Sequence, residues 1–328
     1  MTDFLFSASP RARQMARATR GATIVDYGVL VGLLAVLSIG AIVGIGVATN
    51  GTFQFSNDRL EEANVGAPGE DGGPTLTSAD CLDPGRVGTV GQSGMTACLG
   101  QLIVDDATLA AAGSTVAGGD GSYDIDADGT TYTFANGANT IYTGQVTNLD
   151  DMFAGTGGSP ATYNGDISHW DTSAVTSMSG TFANNTAFNQ DLSGWDVSSV
   201  QTMDRLFFNA TAFDQDLSGW TTSSVTTMEA MFGNADAFTG SIVAWDTALV
   251  QTFDRMFQSN DGFNQNISGW ETGSATSMTE MFNDATSFNQ DLSGWCVSAI
   301  GSAPSDFDTG ASAWTGAPGT RPNWGASC

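Results

Sequence analysis

Carboxylates are the residues in this chain whose type and spacing could do chemistry. Asp191, Asp216 and Asp291, with Asn266 among them, share one register, and Asp171, Asp196, Asp246 and Glu271 share another, each at multiples of 25 residues. If such rows stack at the strand spacing of about 4.8 Å, neighbouring charges repel by roughly 1–3 kcal/mol between effective dielectric constants of about 80 and 20. An oxygen-ligated Ca2+ would relieve that repulsion. Side chains splayed into water would relieve it too, and would serve solubility. Both readings stay open. The candidate metal ligands are Asp171, Asp191, Asp196, Asp216, Asp246 and Asp291, and no other cofactor is expected. Asp124, Asp126, Asp128 and Gly129 also match the start of an EF-hand-like loop, but its last ligand position falls on Ala135. A bidentate Glu is needed there, so the turn of a β-hairpin over 123–134 fits better.

A catalytic set is not found, and no enzyme is expected. His169 is the single histidine and sits where most repeats have Gly. Cys296 follows Trp295 in the slot held elsewhere by Asp171, Asp196, Asp246 and Glu271, where a disulfide staple fits better than a nucleophile. The four cysteines, Cys81, Cys98, Cys296 and Cys328, form two sequence-local pairs without zinc-finger spacing. Cys81–Cys98 and Cys296–Cys328 are the simplest of the three pairings, and they imply an oxidising compartment.

A repeat must position the carboxylates. Trp170, Trp195, Trp220, Trp245, Trp270 and Trp295 lie 25 residues apart, and Phe182, Phe207, Phe232, Phe257 and Phe282 keep the same period. A fixed period with matching large apolar positions marks a stacked solenoid. Val200, Met203, Leu206 and Phe207 fall on one face of about two helical turns, and Ser198 with Gln201 has the spacing of a capping box. Phe188, Leu192 and Trp195 punctuate an extended segment upstream that includes a short strand. The expected fold is therefore an α/β solenoid of 25-residue strand–helix coils over 146–300. A non-repeating block at 81–145 caps its start and 301–328 caps its end. The tryptophans and phenylalanines are its core, with the tryptophans as spacers rather than a sugar-stacking strip.

Charge narrows the partners. Nine basic residues, all arginine, face 35 acidic ones across 328 residues, for a formal net charge of −26. Such a surface repels DNA, RNA and anionic lipid headgroups, so no nucleic-acid partner is expected. Four of the arginines, Arg11, Arg13, Arg17 and Arg20, lie in a basic leader at 1–21. The following 22–57 segment contains an uncharged apolar run at 29–48, whose 20 residues span about 30 Å as a helix, the thickness of a bilayer core. The arginines should stay cytoplasmic and send the C-terminal bulk outward. A stretch at 58–80 with Gly and Pro and no apolar periodicity reads as a flexible linker. A transmembrane anchor and a cleaved signal peptide are the plain alternatives for the apolar run. Its length argues against the latter, whose apolar region is about 7–15 residues.

Two resemblances follow from these motifs. Arg20-Gly21-Ala22-Thr23-Ile24-Val25-Asp26-Tyr27-Gly28 and the apolar run resemble the N-terminus of Flp-type pilins of Tad systems, with Asp26 where the family has Glu. That resemblance implies prepilin cleavage between Gly21 and Ala22 and assembly with other pilin subunits; the long C-terminal extension implies a minor subunit. Phe188-Asn189-Gln190-Asp191-Leu192-Ser193-Gly194-Trp195-Asp196-Val197 with its Thr-x-Met and Met-Phe followers resembles BspA-like leucine-rich-repeat bacterial surface proteins. That family implies exposure at the cell surface and, for some members, adhesion; no catalytic residues come with it. The expected protein is thus inserted in the cytoplasmic membrane by its N-terminal helix. Its exported ectodomain is a leucine-rich-repeat-like solenoid, on the cell surface or a pilus, that binds a surface protein or glycan. The alternative is an anchored structural protein of the cell envelope with no pilus role.

Overall fold

Turns, rather than helices and strands, carry most of the backbone. In the computed structural model the described residues run from 76 to 327, apart from 93–94, 96, 114–123, 128–129, 134–139, 157–158 and 316–319. They belong to one compact unit, Thr75–Cys328. The leader, the apolar run at 29–48 and most of the linker lie outside the described residues, with Gly21, Ala22, Asp26, Tyr27 and Cys328. Among the described residues no helix is long and apolar enough to cross a membrane.

Successive 25-residue coils stack through their backbones. Met203, Arg205, Phe207 and Asn209 donate their N–H groups to the carbonyls of Thr227, Glu229, Met231 and Gly233, at 3.1, 2.7, 2.9 and 2.8 Å. The next coil repeats the pattern, with Met228, Ala230, Phe232 and Asn234 donating to Thr252, Asp254, Met256 and Gln258. Single-residue parallel bridges link Ser177, Thr202, Thr227, Thr252 and Ser277 in turn. Within a coil, Leu206, Phe208 and Ala210 donate to the carbonyls three residues back, at 3.3, 3.0 and 3.0 Å.

The helical turns expected over Val200–Phe207 are therefore replaced by a ribbon of linked turns. An α-helix would consume every N–H four residues back in the same coil. Here alternate N–H groups are turned out toward the next coil instead. Left-handed backbone at Arg205 and Asn209, with φ 57° and 58°, makes that alternation. Linked three-residue turns bring Val200, Met203 and Leu206 to one side as a helix would, so the apolar spacing did not distinguish them. Ser198 caps no helix; its N–H donates to Asp196 Oδ1 at 2.9 Å.

The left-handed slots give a prediction. Arg205, Ala230, Arg255 and Glu280 occupy the first slot with φ of 57°, 51°, 57° and 56°, where the coil of Trp170 and Phe182 has Gly180 at 65° and the one before it Asp151 at 54°. A side chain in this region costs roughly 1–2 kcal/mol. A Cβ on Gly180 would also come within 2.3 Å of Asp151 Oδ1. Gly180→Ala should lower the unfolding free energy by about 1–2 kcal/mol, and Ala230→Gly should raise it by up to about 1 kcal/mol. Urea unfolding of both variants checks this, and the reverse ranking would contradict the slot.

Aromatic rings fill the interior in files that cross the coils. Trp220 stacks on Trp245 at 6.1 Å with 4° between planes, and Trp245 on Trp270 at 6.5 Å and 6°. Phe182, Phe207, Phe232, Phe257 and Phe282 follow one another at 5.6, 5.6, 5.9 and 5.5 Å. Phe188, Phe213, Phe238, Phe263 and Phe288 form a third file, with each ring 3.8–4.1 Å from the Phe of its own coil. Each such pair adds about 0.5–1.5 kcal/mol beyond its area burial. The indole of Trp195, Trp220, Trp245, Trp270 and Trp295 donates to a carbonyl of the preceding coil at 3.0–3.2 Å, so no buried polar atom is left over there. Beside the tryptophans, buried Thr172, Thr222, Thr247 and Thr272 donate to carbonyls of the following coil at 2.8–3.0 Å.

Both ends of the stack are closed by dissimilar structure. Before it, β1 (Leu102–Ile103) pairs in parallel with β4 (Ile141–Tyr142), and an antiparallel hairpin joins β2 (Asp124–Ala127) to β3 (Thr130–Thr133). Leu102 and Ile103 of β1 are both buried. Helix α1 begins at Asp106 and ends at Gly113. Asp105 caps it, accepting from the Thr108 N–H at 2.9 Å and hydroxyl at 2.7 Å. The expected linker stops before its boundary, because Ser78–Leu82 already forms a 3-10 turn. A disulfide joins Cys81 to Cys98. Gln145 Nε2 ties that turn to the first coil through the Cys81 carbonyl at 2.6 Å. At the other end, Phe307 and Trp314 meet Phe282 edge-on, at 82° and 80°, which stops the face-to-face files. Arg321 lies 4.3 Å over the Trp314 ring and pairs with Asp308 at 2.7 Å. Cys296 is disulfide-bonded.

Candidate functional site

Each coil turns twice in quick succession around its tryptophan, and the carboxylates sit at those two turns. In the first turn Asp191, Asp216 and Asp291 accept the N–H two residues on, from Ser193, Ser218 and Ser293, at 2.8, 2.9 and 2.9 Å. Asn266 does the same for Ser268 at 3.1 Å. In the second turn Asp171, Asp196 and Asp246 accept from Ser173, Ser198 and Ala248 at 3.2, 2.9 and 3.0 Å. This is the Asx-turn, a side chain standing in for a backbone carbonyl. The structure thus places all six candidate ligands at the turns on either side of the tryptophans. It assigns each a local partner in its own coil. Among the described residues no group of three or more His, Cys, Asp or Glu side chains converges.

At Asp196, Asp216 and Asp291 those hydrogen bonds favour the ionised carboxylate. The Ser198 and Ser293 side chains and N–H groups hold Asp196 and Asp291 below their ordinary value, and the Ser218 N–H leads the same effect on Asp216. A cap that needs no metal predicts a thermal midpoint unchanged by EDTA. A midpoint raised by Ca2+ and lowered by EDTA would assign the two rows to the metal instead.

His169 occupies the first-turn slot of the first coil, where its neighbours have Gly194 and Gly219. Burial pushes it below its ordinary value, against the opposing pull of Asp166. The sign is the same for both kinds of group. A histidine depressed by folding contributes stability above its unfolded value and loses it as pH falls. The depressed aspartates contribute above about pH 4 and lose it below. Stability should therefore fall from pH 7 to 5 through His169 and again below about pH 4 through the caps. His169→Gly should flatten the first step and leave the second, as read by thermal melting across that range.

A third row was not legible as a site. The side-chain oxygens of Asn164, Asn189 and Asn264 accept the N–H of Asn189, Asp214 and Asn289 one coil on, each at 2.9 Å. Gln190, Gln215 and Gln290 add their amides to the same oxygens at 3.0, 2.7 and 2.8 Å. The signal was the Asn-Gln pair after the phenylalanine at 189–190, 264–265 and 289–290, with Asp214-Gln215 in another coil, which amphipathic patterning has no reason to register. The side chains of this row are thus spent on neighbouring coils. A cavity of about 220 Å³ near the start of the stack is lined by Asp106, Leu109, Asn148, Asp150 and Met152. Its carboxylates are engaged as well: Asp106 takes the N–H of Thr147 at 2.6 Å and Asp150 that of Ser179 at 2.8 Å.

One coil departs from its sisters on the turn face. Val243 and Leu249 stand where the other coils have small residues, such as Ser193, Ser218 and Ser268, and Ser199, Ser224 and Ser274. They are 45% and 53% exposed.

Comparison with known proteins places the repeat. The family described as Mycoplasma protein of unknown function, DUF285, matches residues 127–242 and again 214–315, together more than half of the chain. No curated protein and no solved structure matches.

Proposed function

The chain belongs to the DUF285 family, and from that premise we propose that it is an exported surface protein, anchored by its N-terminal apolar segment, that presents a leucine-rich-repeat-like solenoid for binding. The observation that carries this reading is the pairing of a Gly21-Ala22/Asp26-Tyr27 pattern and an uncharged run at 29–48 with a stack of coils whose outward face is polar and acidic. The Phe-Asn-Gln-Asp-Leu-Ser-Gly-Trp repeat supports a BspA-like surface role, and the N-terminal pattern supports a minor Flp-type pilin subunit. A binding role rather than a catalytic one is favoured because the titratable groups on the turn face serve as turn caps.

Edman sequencing of the protein recovered from its membrane fraction tests the pilin-type anchor. A first residue of Ala22 supports processing and assembly; Met1 or Thr49 would sink it. A second reading, a structural envelope protein with no pilus role, is favoured by one observation: the Asn and Gln side chains bond to neighbouring coils and add rigidity instead of free recognition groups. Sheared pilus preparations distinguish the two. The protein co-purifies with pili under the first reading and stays with the cell body under the second.

A further inference from the structure

Val243 and Leu249 are two of the four large apolar side chains most exposed among the described residues. They share one coil and occupy the outer corners of its two turns, where the adjacent coils on either side have serine in both positions. The folded chain gains little from them, because about half of each stays in water. It also loses something at Leu249. Ser199, Ser224 and Ser274 donate their hydroxyls to the carbonyls of Ser173, Ser198 and Ala248 in the preceding coil, at 3.0, 2.7 and 2.6 Å. Leucine cannot supply that rung. The buried partners of the same coil are unchanged, since Ile242, Trp245 and Val250 are as buried as their counterparts. A need of the core therefore does not explain the exchange.

Charge identifies what would cover these two side chains. Asp246 lies in the same turns, Asp214 and Asp216 in the coil before, and Glu271 in the coil after. In all six coils the stretch from the Asn-Gln row to the second turn contains no lysine or arginine. An apolar centre inside a wholly acidic field complements a segment with apolar anchors and basic flanks. We propose that Val243 and Leu249 form the apolar anchor point of a docking surface for a basic, amphipathic polypeptide segment of a partner protein. The proposal deepens the reading of the stack as a binding surface and rests on it. It does not depend on how the chain is anchored.

The test is a fluorescence-anisotropy titration of a labelled 14-residue peptide of alternating arginine and leucine into the full-length chain held in neutral detergent. A parallel titration uses the same peptide with its leucines replaced by serine. The double variant Val243→Ser/Leu249→Ser installs the residues of the adjacent coils, and its thermal midpoint should equal or exceed that of the wild type. The expected result is binding that weakens at least about tenfold in the double variant and by a similar factor with the serine peptide. Equal affinity of wild type and double variant overturns the proposal, because the acidic field alone would then account for binding. Absence of binding to the wild type overturns it too. A lower midpoint in the double variant would assign the two side chains a structural role instead. None of these failures touches surface display, which N-terminal sequencing and cell labelling read separately.

Discussion

Replacing Trp220 by alanine is expected to lower the unfolding free energy by about 3–5 kcal/mol, the range for removing a large buried aromatic. Trp220 is 4% exposed and lies in the middle of the stack. Its ring packs on Trp245 at 6.1 Å and on Phe207 at 6.4 Å, so the cavity opens against two neighbours at once. The indole also donates to the Leu192 carbonyl at 3.0 Å. Truncation therefore strands a buried acceptor, which costs about 1–3 kcal/mol of its own. Trp220→Phe separates the two contributions, since it keeps most of the ring and loses the donor. Its expected cost lies near the lower of those figures. Coils stabilise one another through nearest neighbours, so the alanine variant should also broaden the transition as the halves on either side begin to unfold separately. Urea unfolding followed by circular dichroism measures both effects. A loss below about 1 kcal/mol would contradict the role of the tryptophan file.

Opening the Cys81–Cys98 disulfide is the second large perturbation. The bond closes a loop with a sequence separation of 17, and both cysteines are fully buried. Loop-closure entropy for that length gives about 3 kcal/mol of stabilisation. The loss should be felt by the stack as well as by the loop. The Cys81 carbonyl receives Gln145 Nε2, and β1, which follows the loop, pairs with β4, which leads into the first coil. Cys81→Ala/Cys98→Ala should lower the unfolding free energy by about that amount, and dithiothreitol, which also opens the Cys296 disulfide, should shift the wild type by at least as much as the double substitution does. An unchanged midpoint in both would mean that the block before the stack does not stabilise it.

The two perturbations bear on features of unequal legibility. The 25-residue period, the tryptophan and phenylalanine slots and the hairpin about residues 127–130 could be read directly, because large apolar residues at fixed intervals have few other uses. The Cys81–Cys98 pair was the simplest closure of a short loop. The conformation inside each coil was not legible. Val200, Met203, Leu206 and Phe207 satisfy a helical spacing, but they satisfy linked turns as well. The choice is made by N–H groups that bond to the next coil, a long-range partner that no local pattern contains. Left-handed backbone at Ala230 and Glu280, residues that rarely adopt it, follows from the same requirement. Within the candidate site, the carboxylate rows were found by type and interval. Their Asx-turn role rests on the N–H of the serine two residues on from Asp191, Asp216 and Asp291, which residue type and interval alone do not contain.

We propose that this stack is displayed outside the cell. An antibody raised against the folded stack, applied to intact cells and then to permeabilised cells of the same culture, tests it most directly. Labelling of intact cells at a level that permeabilisation does not raise is the predicted result. Labelling that appears only after permeabilisation would contradict the account.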